Sequence, residues 1–144
     1  MHNHPPWHFG ASFANRMLDW LPTDSEERFQ ESMADPEKRK ILQQKGWDRP
    51  GAFNYIINSF GFRGDDFDTE SDCIIALGCS YTIGVGLPQQ QTWPWLVGEK
   101  LNLAVCNLAW PGNSADACCR LTEYWIPRLK PKYVFMLSPP KARI

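Results

Sequence analysis

The spacing of apolar residues changes character near residue 53. Beyond it, Cys73-Ile74-Ile75-Ala76-Leu77 forms an unbroken apolar run that ends at Gly78. Such a run fits a strand buried on both faces, as in a parallel sheet. Leu103–Leu108 and Tyr133–Leu137 predict two further strands, and Tyr55-Ile56-Ile57 a short one ahead of the turn-rich Gly61–Asp66 stretch. Between them lie two helical patterns. Thr92 can cap a helix over Trp93–Leu101, with Pro94 near its start. Ala115–Leu129 carries apolar residues at Cys118, Leu121, Trp125 and Leu129, one helix face. Pro127 is expected to kink or end that helix.

The resulting order is strand, helix, strand, helix, strand. It predicts right-handed parallel crossovers and a sheet covered by helices. Ligands in such sheets bind at the carboxyl ends of the strands. The loops after Leu77, Leu108 and Leu137 are therefore the places to look for chemistry.

The first part of the chain is more polar. Thr23-Asp24-Ser25 can cap a helix running to about Met33, and Asp35-Pro36 starts a second one that ends near Gly46. Apolar positions there are sparse (Ile41, Leu42), so these helices are expected to lie on a surface as a lid or extension. The expected division is a helical N-terminal extension over 1–52 and an α/β domain over 53–144.

Composition narrows the classes. The chain is 43% hydrophobic and 13% aromatic, which excludes a disordered composition. A formal net charge of -1, without a long basic run, argues against a nucleic-acid or anionic-membrane partner. No apolar stretch approaches the roughly 18 residues of a membrane span, and the N-terminus lacks the apolar core of a signal peptide. The five cysteines (Cys73, Cys79, Cys106, Cys118, Cys119) are odd in number and form no CxxC pair, so neither a disulfide framework nor a zinc site is expected. Several sit in apolar runs, where a thiol packs as a small hydrophobe. A reducing, cytoplasmic setting is the simplest expectation, with no metal and no cofactor.

The loop after the first buried strand reads Gly78-Cys79-Ser80-Tyr81-Thr82-Ile83-Gly84. It is not a phosphate loop, because no Lys follows Gly84, and it lacks the dinucleotide spacing G-x-G-x-x-G. It is not the G-x-S-x-G elbow either, because Thr82 holds the last position. A serine just beyond a buried strand, followed by Thr82 and Gly84, resembles the first signature block of the SGNH/GDSL hydrolases, with Cys79 in the Asp position. Asn107-Leu108-Ala109-Trp110-Pro111-Gly112-Asn113-Ser114 resembles the family's second block, and Asn58–Gly64 a segment found upstream in some branches.

The resemblance covers roughly residues 53–140. It implies a three-layer, flavodoxin-like parallel sheet and a serine esterase or hydrolase acting on a small-molecule or carbohydrate ester. Ser80 would be the nucleophile. The Ser80 and Gly112 amides would form the oxyanion hole, with Arg63 and Asn113 as candidate substrate-binding residues. Arg63 also fits a structural turn with a surface side chain.

The sequence departs from the family in its later blocks. The expected Asn after the third strand is absent, with Ser138 a weak stand-in in Ser138-Pro139-Pro140-Lys141-Ala142-Arg143-Ile144. No Asp-x-x-His follows, and the only histidines are His2, His4 and His8. A serine hydroxyl without an adjacent base is a poor nucleophile, and a polar His-rich terminus is expected to be mobile rather than poised at Ser80. A Cys79 nucleophile is disfavoured, because a buried thiol is inert.

Fewer strands are predicted than the family's sheet contains, so the sheet reads as incomplete. Two expectations follow: a truncated hydrolase, or a non-catalytic binding or assembly module that covers its open edge as a homo-oligomer. Trp93, Trp95, Trp110 and Trp125 fit either a binding surface or packing anchors.

Overall fold

The computed structural model describes residues 8–19, 26–49 and 53–139. Its contacts divide the chain into two compact units. One comprises the described residues of Met17–Tyr55, the other those of Met1–Arg16 together with Ile56–Ile144. Residues 8–16 thus group with the α/β unit and not with the described residues of 17–55.

The smaller unit holds strand β1 (Met17–Asp19), helices α1 (Glu26–Ala34) and α2 (Pro36–Gln44), and the start of strand β2 (Asn54–Ile56), which pairs with β1. The expected cap of α1 lies outside the described residues. The Asp35-Pro36 start holds: the Asp35 carboxylate accepts the amides of Glu37 (2.9 Å) and Lys38 (3.2 Å). These satisfy two amides that a helix start leaves without intrahelical partners. The two helices pack on each other, and each buries one apolar side chain, Phe29 and Leu42.

The larger unit is a mixed α/β structure around a three-stranded parallel sheet. Strand β3 (Cys73–Leu77) lies in the middle, between β4 (Ala104–Asn107) and β5 (Tyr133–Met136). Three helices connect the strands: α3 (Ser80–Ile83) and α4 (Trp93–Leu101) between β3 and β4, and α5 (Ala115–Leu129) between β4 and β5. Residues pair as Ile74↔Val105 and Ile75↔Cys106, so alternate residues define two faces. Helix α5 buries Cys118, Leu121, Trp125 and Leu129 in one cluster with Cys73, Ile75, Leu77 and Cys106. Helix α4 lies on the other face, where Gly98 comes so close that a Cβ there would stand 2.2 Å from Val105 Cγ2.

Two local expectations need correction. Thr92 occupies the N-cap position of α4, but its hydroxyl donates backward to the Gln89 carbonyl (2.7 Å) rather than accepting a helix amide. Pro127 does not end α5, which continues to Leu129. In the last turn its missing amide removes only the bond to the Glu123 carbonyl, while Leu129 gains full burial. No helix among the described residues is long and apolar enough to cross a membrane.

Candidate functional site

Because the strands are parallel, the loops after β3, β4 and β5 leave the same end of the sheet. They carry Ser80, Gly112 and Ser138 respectively. The first turn is forced by packing. Gly78 has φ +153°, and a Cβ there would lie 2.1 Å from Thr82 Oγ1, so only glycine fits. Cys79 follows, with its side chain buried, and α3 begins at Ser80. The segment, a loop by periodicity, forms one helical turn, with Thr82 and Ile83 amides bonded to the Cys79 carbonyl (3.0 and 3.1 Å).

Ser80 is half-buried, whereas Tyr81 beside it is 71% exposed. As the first residue of a helix, Ser80 presents an amide that has no intrahelical acceptor. Its hydroxyl is bonded by no side chain among the described residues.

The second loop starts at Asn107, whose Oδ1 accepts the Ala109 amide (3.1 Å). Gly112 is exposed at φ +87°, with no atom within 4 Å of where a Cβ would lie. Here conformation demands glycine while the space beside it stays open, the condition for a ligand to approach the main chain. Asn113 is 8% exposed, its main-chain amide bonds the Trp110 carbonyl (3.1 Å), and its Nδ2 finds no partner among the described residues. Ser114 caps α5 by accepting the Ala117 amide (3.2 Å). A cavity of about 300 Å³ opens here, lined by His8, Gly112, Asn113 and Ser114, with the exposed Arg120–Asp116 ion pair (2.9 Å) at its side.

His8 is not a mobile terminal residue. It is 6% exposed, stacks on Phe62 (centroids 4.0 Å apart) and meets Trp110 edge-on. Its Nε2 lies 3.0 Å from the Gly61 carbonyl; a carbonyl can only accept, so Nε2 carries the hydrogen. Sequence offered no signal for this, because the residues that order His8 lie more than fifty positions away. His2 and His4 lie outside the described residues, as do Pro140, Lys141, Ala142, Arg143 and Ile144.

Arg63 is not the surface side chain of a turn. It is 3% exposed, and its guanidinium donates to the carbonyls of Ile83 (2.9 Å), Gly84 (2.8 Å) and Leu87 (2.7 Å). Asn58 shapes the segment before it, accepting the amides of Phe60 and Phe62 and donating to the Asp65 carbonyl. After β5, Ser138 is exposed and, among the described residues, bonds the neighbouring Pro139 carbonyl.

Burial raises Cys118, the Cys119 thiol beside it adds to the rise, and a bond from the Gly78 main chain opposes it. Cys106 is pushed up strongly, by burial first and then by Cys73. All five cysteines are unpaired thiols, and no cluster of His, Cys, Asp or Glu among the described residues has the geometry to hold a metal ion. Comparison with protein-family models, with curated proteins and with solved structures found no match.

Proposed function

We propose that this chain carries the nucleophile and oxyanion loops of an SGNH/GDSL-type serine hydrolase, acting on the ester of a small molecule or carbohydrate. The observation that carries the reading is the pairing of two loops at one end of a parallel sheet. Ser80 opens a helical turn directly after the central strand, and Gly112 follows the adjacent strand with its main chain open to approach. The order β4-β3-β5 with a helix on each face supports a flavodoxin-like, three-layer arrangement. The buried free thiols support a reducing compartment.

In this reading the Ser80 hydroxyl attacks an ester carbonyl. The oxygen that gains negative charge is held by the Ser80 and Gly112 amides, and Asn113 contacts the substrate. The hydroxyl proton must pass to a base. His8 lines the cavity beside Gly112 but is bonded to the Gly61 carbonyl and not to Ser80, so the reading calls for a base from outside the described residues or from a second copy of the chain.

The alternative is a binding or assembly module that keeps this framework without turnover. The observation that favours it is the Ser80 hydroxyl itself, which no described side chain bonds. Treatment of the folded chain with a fluorophosphonate probe separates the two readings. Covalent mass at Ser80 that is lost in Ser80→Ala is the result expected of the hydrolase; absence of labelling in a folded chain favours the module.

A further inference from the structure

Helix α3 is four residues long. A helix of one turn fixes more main-chain torsions than its few internal bonds offset, so it does not hold itself. Its carbonyls, and those just beyond it, are bonded from outside. Asn107 Nδ2 donates to the Thr82 carbonyl (3.0 Å). Arg63 Nη1 donates to the Ile83 and Gly84 carbonyls, and Nη2 to the Leu87 carbonyl. Both side chains are buried, at 3% for Arg63 and 5% for Asn107. Bonds from a guanidinium are charge-assisted, and removal from water strengthens them.

The two braces come from separate elements. Arg63 is anchored by an antiparallel bridge to Ile57, and the next residue's amide bonds the Ile56 carbonyl (2.9 Å). Asn107 ends β4 and works in both directions. Its Nδ2 holds the loop of Ser80, while its Oδ1 holds the Ala109 amide at the start of the loop that leads to Gly112.

We propose that Arg63 and Asn107 are positioning residues that lock the Ser80 turn against the Gly112 loop, fixing where the serine and the two amides stand relative to one another. This assigns Arg63 to the chain's own carbonyls instead of a substrate anion. Its catalytic consequence rests on the Ser80 reading; its structural content does not.

The test compares Arg63→Met and Arg63→Lys with Leu129→Ala, a core truncation at the far end of α5 that lowers stability without touching either loop. Each variant is studied where circular dichroism shows it fully folded. Two quantities are read: the rate of fluorophosphonate labelling at Ser80, and amide hydrogen exchange over residues 80–87.

Arg63→Met should slow labelling by about tenfold to a hundredfold, the effect of a misplaced reacting group, and speed exchange locally at 80–87. Arg63→Lys should recover part of both, and Leu129→Ala should label at the wild-type rate. The proposal is overturned if Arg63→Met and Leu129→Ala behave alike in both readouts. If the parent chain is not labelled at all, the hydrolase reading fails and exchange alone decides the brace. If Arg63→Met does not fold, Asn107→Asp replaces it. That variant keeps the acceptor for Ala109 and turns the donor to Thr82 into an oxygen that faces its carbonyl, with the same expected and overturning outcomes.

Discussion

Strands β3 and β5 lie side by side and are written in nearly the same language, Cys73-Ile74-Ile75-Ala76-Leu77 against Tyr133-Val134-Phe135-Met136-Leu137, yet they meet different surroundings. Every residue of β3 is buried. In β5, Tyr133 is 54% exposed, Val134 41% and Met136 55%. The strand between β4 and β5 has a neighbour on each edge and a helix on each face, whereas β5 has, among the described residues, a neighbour on one edge only. An unbroken apolar run thus reports that a strand is built for burial on both faces. It does not report which segment does the covering. The edge of β5 that no described strand pairs with is the kind of row of main-chain groups that recruits another strand.

The largest effect should come from substitution at register partners. Ile75 and Val134 stand opposite one another on the same face of the sheet. Ile75→Ala removes three methyl-sized groups from a fully buried site and should cost about 3–4 kcal/mol. Val134→Ala, already half in water, should cost under about 1 kcal/mol. Urea unfolding of the two variants checks both values. Equal losses would mean that β5 is covered in solution, and the contrast between the strands would disappear.

The same contrast explains what could be read from the sequence. The strand at Cys73–Leu77, the bounds of α4 and α5, and the buried set Cys118, Leu121, Trp125 and Leu129 all follow from periodicity, because in each case a local spacing meets a real core. The loops bearing Ser80 and Gly112 follow from strand ends. Helix α3 does not: four residues hold no period, and the turn exists because side chains distant in sequence bond its carbonyls. Arg63 reads as a surface turn residue for the same reason, since main-chain carbonyls leave no trace in a sequence. Strand β1 is only three residues long, and the ordering of His8 depends on Phe62 and Trp110. What is missed is held by long-range contacts to the main chain or to aromatic rings.

A second, intermediate effect concerns the thiols on the sealed side of the sheet. Burial raises Cys106, Cys73 and Cys118 above the ordinary thiol value. A raised folded value means that folding favours the protonated form. That stability is intact below the unfolded value, near 9.0, and is lost as pH rises through the folded values, because the unfolded chain then releases protons the folded chain retains. Unfolding free energy should therefore be flat from neutral pH to about 8.5 and fall above it. Replacing Cys106 with Ala should flatten that decline, at the expense of a small cavity. Alkylation of the folded chain at neutral pH should modify the exposed Cys119 and spare the buried four. A Cys106 that reacts as fast as Cys119 would show that the β3–β4 face is not sealed.

The smallest effect on stability should come from a charge on the exposed strand. Met136→Lys places an ammonium where the side chain is already 55% in water, so unfolding free energy should change by no more than about 0.5 kcal/mol. Its value lies in a second readout. If the open row of β5 draws chains together, light scattering should show the parent chain associating with concentration while the lysine variant stays monomeric, because an edge charge must be desolvated in any strand-to-strand pairing. The two measurements answer separate questions. A large loss of stability would mean that Met136 is buried within a single chain and that β5 resembles β3 after all. Unchanged association would mean that the exposed residues of β5 are tolerated singly as surface, and that the difference between the two strands has no consequence for assembly.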